Sequence, residues 1–111
     1  MFEIGDYVIF NNEIVRILEV KGQNSYKISG KCTSFNGSEL SVIETTLDNH
    51  ISLCSILEKD FFENNNMDYW HLLKLRPQGD VWIDDELNVI ISSYQEFKDY
   101  CKKKRIADSK T

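Results

Sequence analysis

The sequence predicts an α+β domain, mainly β-strand, that ends in a single helix. Short runs of β-branched and aromatic residues follow one another through the first half, separated by Gly and Asn. Three more short apolar runs with turn residues between them come after Asn64-Asn65-Asn66. Ser93-Tyr94-Gln95-Glu96 then stands ahead of apolar residues spaced three or four apart, which is how a capped amphipathic helix begins.

Each element follows from local chemistry. Tyr7–Phe10 reads as a strand, Asn11-Asn12 as a tight turn because Asn tolerates positive φ, and Glu13–Val20 as a second strand with an imperfect period of two. Gly22–Ser25 turns the chain into a third strand within Tyr26–Phe35, bent at Gly30. Asn36-Gly37 has the form of a two-residue hairpin turn leading into Leu40–Ile43. The apolar residues between Thr45 and Glu63 fit helix and strand spacing in part, and a fifth strand over His50–Leu57 is expected. Beyond the Asn run, Tyr69–Leu75, Val81–Ile83 and Val89–Ile91 predict a three-stranded meander turning at Arg76–Gly79 and Asp84–Asn88. A helix from Tyr94 to about Arg105 places Tyr94, Phe97, Tyr100 and Cys101 on one face, against a sheet.

At 111 residues, 41% hydrophobic and 28% charged, the chain has the size and composition of one folded domain, 1–111. Its only internal seam would fall at the Asn run, between sub-structures 1–63 and 64–106. Apolar runs far shorter than the roughly 20 residues of a membrane span, acids near the N-terminus, and three cysteines (Cys32, Cys54, Cys101) outside any C-x-x-C pair predict a reducing, cytoplasmic setting.

The net charge of −5 is unevenly spread. Residues 98–111 carry six bases against two acids, or +4, which leaves −9 on residues 1–97. That body repels nucleic acid and attracts basic partners. The basic end, Lys102, Lys103, Lys104 and Arg105 above all, either contacts phosphate or offsets the negative end of a helix dipole.

Met1-Phe2-x-Ile4-Gly5-Asp6-x-Val8-Ile9-Phe10, followed by a second apolar strand, resembles the start of small SH3-like barrels, notably the RNA-polymerase-binding domain of CarD-type transcription regulators. The resemblance implies a bent, five-stranded barrel over residues 1–57. Where those regulators have a Pro-His-Gly-type turn this chain has Asn11-Asn12-Glu13, and their basic helical DNA-binding domain is missing from it.

Residues for catalysis are sparse. His71 sits between Trp70 and Leu72, and a His50–Cys54 pair, four apart on a strand, would be two pleats apart and out of reach. No phosphate-cradling glycine loop, G-x-S-x-G elbow or H-E-x-x-H pair occurs, so no enzyme, cofactor or metal site is expected. Asp80, Asp84, Asp85 and Glu86 form the densest acidic cluster, either a solvated turn or a docking surface. Trp70 and Trp82 would face each other across the Pro77 turn, either in the core or, with those acids, as a protein-binding hot spot.

The expectation is a non-enzymatic module whose acidic face, through Asp80, Trp82, Asp84, Asp85 and Glu86, docks on a basic protein, nucleic-acid-binding proteins among the candidates. Small acidic domains of this kind look like phage or mobile-element inhibitors, anti-CRISPR proteins included, and like toxin-neutralising immunity proteins. The alternative is a nucleic-acid-associated regulator that meets RNA polymerase through the barrel and phosphate through the basic helix.

Overall fold

The computed structural model describes residues 2–109; Met1 and Lys110, used in the sequence reading, lie outside them. The fold is α+β with two antiparallel sheets, and the chain divides into two compact units, residues 1–43 and 44–111. The Asn64–Asn66 run lies inside the second unit, where it joins two helices. Among the described residues no helix is long and apolar enough to cross a membrane.

The first unit is a meander of β1 (Tyr7–Phe10), β2 (Glu13–Val20), β3 (Ser25–Ile28) and β4 (Ser34–Asn36), paired in chain order. Asn11 and Asn12 both take positive φ (50° and 65°), so the two-residue turn that matches strand twist joins Phe10 to Glu13. The register of β2 slips between Ile17 and Glu19, and this irregularity is the imperfect alternation seen in the sequence. Val8, Phe10, Val15, Ile17, Tyr26, Ile28 and Leu40 form the core, with Phe2 packed edge-on against Tyr26.

Three expectations fail here. Tyr26–Phe35 is not one strand bent at Gly30 but parts of two, β3 and β4, paired with each other across a turn that holds Gly30 at φ 78°. Asn36-Gly37 is not a hairpin turn: Gly37–Glu39 is one turn of 3-10 helix, and the Asn36 N–H donates to the Glu39 carboxylate. A Cβ at Gly37 would displace the end of the Asn24 side chain and crowd the Tyr26 ring. Leu40–Ile43 is not a full strand either, and only Ser41 bridges to Ile9, by two backbone hydrogen bonds of 2.8 and 2.9 Å. A closed barrel is not formed by the four-stranded sheet.

The second unit runs α1 (Leu47–Asn64), α2 (Asp68–Leu73), β5 (Arg76–Gln78), β6 (Val81–Asp84), β7 (Val89–Ile91) and α3 (Tyr94–Ser109). The fifth strand expected at His50–Leu57 is therefore the middle of an 18-residue helix. Its buried stripe is His50, Leu53, Leu57 and Asp60, spaced at helical period but half polar, so hydrophobicity alone hides the period. Thr46 caps the helix by accepting from the Asn49 N–H, and Asn65 ends it in the left-handed region at φ 58°. The strand expected at Tyr69–Leu75 is likewise the helix α2, and the meander begins one element later, at Arg76.

That meander pairs in the order β5-β6-β7, with Pro77 on an edge strand, where its missing N–H costs no inner ladder bond. Gly79, at φ 61°, and Asp80 turn the chain from β5 into β6. In α3 the Ser93 hydroxyl accepts from the Glu96 N–H, as expected of a capping box, while the Glu96 carboxylate takes the Ser92 N–H and hydroxyl. Phe97, Tyr100 and Cys101 are the buried face of α3, and Trp82, Ile91, Leu53, Leu57, Leu72 and Leu75 complete the apolar interior of this unit.

Candidate functional site

The residues expected to form one acidic face are sorted by the β6–β7 hairpin into inside and outside. Alternation along β6 turns Trp82 and Asp84 inward and Val81 and Ile83 partly outward. Trp82 is 0% exposed; its Nε1–H donates to the Thr46 carbonyl at 2.9 Å, and its ring meets His50 and Phe97 edge to face. Asp84 is 2% exposed and accepts from the Tyr100 hydroxyl at 2.7 Å and from the Glu86 and Leu87 N–H groups at 3.0 and 3.1 Å. Burial raises the Asp84 carboxyl, but the Tyr100 hydroxyl, the two backbone donors and Lys104, 4.0 Å away, outweigh it and hold it below its usual range.

This corrects the proposed contact set. Trp82 and Asp84 belong to the interior, where a partner cannot reach them. Asp85 is exposed but held bidentately by Arg76, at 2.9 and 3.0 Å. Asp80 and Glu86 remain as exposed carboxylates of the group. The basic run is divided in the same way: Lys104 lies over the Tyr100 ring beside Asp84, and Arg105 donates to both Asp68 oxygens at 2.9 and 3.2 Å, while Lys102 and Lys103 are exposed.

A different aromatic surface forms where α1 ends and α2 begins. Trp70, expected to face Trp82, is instead 45% exposed, and Phe62 is 76% exposed. Phe61 lies 5.5 Å from Phe62, 6.0 Å from Tyr69 and 5.5 Å from Trp70, and Tyr69 lies 5.1 Å from Trp70. Met67 is exposed beside them in sequence. The corner that brings the rings together is built by Asp60, whose carboxylate accepts from the side-chain amides of Asn64 and Asn66 at 2.7 and 2.6 Å. Asn66 in turn accepts from the Asp68 N–H. Glu58 and Glu63 are exposed on the same stretch of α1, and Glu58 accepts from the Tyr69 hydroxyl at 2.9 Å. The Asn run, which looks like a loop, is therefore an ordered corner. Its sequence signal is Asp60 four and six residues before Asn64 and Asn66.

Two side-chain groups with chemical potential lie beneath this surface. Because His50 and Cys54 are on a helix, four residues bring them together, and Sγ lies 3.7 Å from Nδ1. The distance argument against the pair is thus overturned. His50 Nε2 bonds the Leu72 carbonyl at 3.1 Å, so Nε2 carries the proton and Nδ1 faces the thiol as an acceptor. Burial holds the imidazole below its usual range and, with Glu58, pushes the Cys54 thiol up, which favours neutral forms of both.

The second group was not singled out in the sequence. Asp68 and His71, one turn apart on α2, meet Cys101 of α3 with one donor atom from each within 4.8 Å of the others. His71 and Cys101 are buried, and burial pushes the Cys101 thiol up, with Asp68 adding to the effect and Arg105 opposing it. Comparison with protein families, with curated proteins and with solved structures finds no match to this chain.

Proposed function

We propose that the chain is a non-enzymatic protein-binding module whose acid-flanked aromatic surface, Phe61, Phe62, Tyr69 and Trp70 with Glu58 and Glu63, docks on a basic protein. The observation that carries this is the exposure of Trp70 and Phe62 within a cluster of four rings in which Phe61 touches the other three. Large aromatic side chains left in water supply most of the energy of an interface when a partner covers them. Carboxylates around them steer a cationic partner into place. A basic, nucleic-acid-binding protein presents the complementary charge, and occupying its channel is how a small acidic inhibitor of the anti-CRISPR or immunity kind would act.

A second reading concerns residues 1–43. Their four-stranded meander, one 3-10 turn and a return segment bridging the first strand support an SH3-like plan, and with it the polymerase-binding regulator. Engagement of Lys104 with Asp84 and of Arg105 with Asp68 takes half the basic run away from phosphate and favours the first reading.

Capture of partners from the source cell on the immobilised chain tests both. The docking reading expects a basic protein that is released as ionic strength rises through about 0.15 M and is lost, by about tenfold or more, with Trp70→Ala or Phe62→Ala. Capture indifferent to those substitutions but abolished by neutralising Lys102 and Lys103 would instead establish the regulator.

A further inference from the structure

We propose that Asp68, His71 and Cys101 form a zinc site with three protein ligands and one open position. The donor set is a carboxylate, an imidazole and a thiol, all from ordered helices, and their ligating atoms already lie within 4.8 Å of one another. His71 Nδ1 is 3.3 Å from Asp68 Oδ1. Two ligands about 2.1 Å from a shared tetrahedral ion stand roughly 3.4 Å apart, so this pair is at ligand spacing without movement. With Zn–S near 2.3 Å the sulfur should stand roughly 3.6 Å from the other donors, so the widest pair needs to close by at most about 1.2 Å, within reach of small side-chain rotations.

Charge explains why an ion suits the place. A thiolate and a carboxylate together cancel the two positive charges of Zn²⁺ and neutral imidazole adds none, so ion and ligands are neutral together, and the one positive charge left over is that of the half-exposed Arg105. Arg105 bonds both oxygens of Asp68 and can keep one while the other ligates, the outer-shell arrangement that orients a metal-bound carboxylate. Thiolate and imidazole select zinc and its neighbours over magnesium and calcium, which take oxygen ligands. Asp68 and His71 are on α2 and Cys101 is on α3, so the ion would staple one helix to the other. The site stands whether or not the aromatic surface has a partner.

The test is a titration of the full chain, freed of metal by a chelator and kept reduced, with Co²⁺ and then Zn²⁺. One equivalent of Co²⁺ is expected to give thiolate-to-cobalt charge-transfer absorption with the visible bands of four-coordinate cobalt, and Zn²⁺ to displace it. The exposed Cys32 and the Cys54–His50 pair are the competing binders, so Cys32→Ser/Cys54→Ser should keep the spectrum and Cys101→Ser should lose it. Asp68→Asn, at a partly exposed position that tolerates substitution better than Cys101, is expected to weaken Zn²⁺ by at least the roughly 10- to 100-fold that an outer-shell loss costs. Absence of the thiolate band from the wild-type chain, its loss in the Cys32/Cys54 variant, or full affinity in Asp68→Asn would each overturn the site.

Discussion

Trp82 and Trp70 both stand near carboxylates, yet one is fully buried and the other 45% exposed. Around Trp82 the acids are used internally: Asp84 gathers Tyr100, Lys104 and two backbone donors, and Asp85 holds Arg76. Around Trp70 the one buried acid, Asp60, builds the corner, and Glu58 and Glu63 remain at the surface. The difference lies in backbone period. On β6 every second residue points inward, so Trp82 and Asp84 are buried together. On the short helix α2 the inward positions are His71 and Leu72, and Trp70 falls on the outer face. A tryptophan among acids is thus an interface signature only once the element that carries it is known.

The sharpest way to break this contrast is to truncate both tryptophans. Trp82→Ala removes a ring that is 0% exposed together with its hydrogen bond to Thr46, and should destabilise the second unit by about 3–5 kcal/mol. Trp70→Ala should cost under about 1 kcal/mol. Urea unfolding followed by far-ultraviolet circular dichroism, and by fluorescence of the tryptophan that remains, measures both, because both residues lie in the second unit. Equal losses would mean that the rings around Trp70 are core.

The carboxylates repeat the contrast at smaller scale. Asp84→Ala strips the Tyr100 hydroxyl and two N–H groups of their acceptor and should cost about 2–3 kcal/mol. Asp85→Ala breaks only an exposed pair with Arg76, whose contribution salt screens, and should barely move the same urea midpoint. A larger effect at Asp85 than at Asp84 would reverse the assignment of inside and outside.

How much of this was legible depends on whether a local rule is also the rule that wins. The Asn11-Asn12 turn, the Asp84–Asn88 turn and the cap at Ser93 are decided within four residues, and all three are present. The helix α1 is decided by a stripe in which His50 and Asp60 are buried along with Leu53 and Leu57, and a hydrophobic pattern shows only half of it. Arg76-Pro77-Gln78 reads as a turn because Pro is excluded from inner strands, but an edge strand accepts it. Gly37 reads as a positive-φ turn, whereas it opens a 3-10 turn beside Asn24 and Tyr26. The tryptophans share this history: that Trp82 would pack inside and Trp70 stand exposed depends on strand and helix period, which the sequence left open at Tyr69–Leu75. Asp68, His71 and Cys101 meet only through the pairing of α2 with α3, which no spacing in the sequence encodes.

His50 gives the mildest test, and it probes the buried side of the comparison, since its ring packs edge-on against Trp82 at 5.3 Å. Burial lowers its pKa below the ordinary 6.5, against the opposing pull of the Leu72 and Leu75 carbonyls. The unfolded chain then takes up its proton at a higher pH than the folded one. Stability is therefore complete above about pH 6.5 and is lost as pH falls from there through the folded-state value. The urea midpoint should drop between pH 7.5 and 5.5, a window above the range in which ordinary carboxylates titrate. His71 lies in the same unit, so the readout is the difference between wild type and His50→Gln, whose amide can still donate to the Leu72 carbonyl. Parallel curves for the two proteins would show that His50 is protonated alike in both states, and that the interior around Trp82 is wetter than its burial indicates.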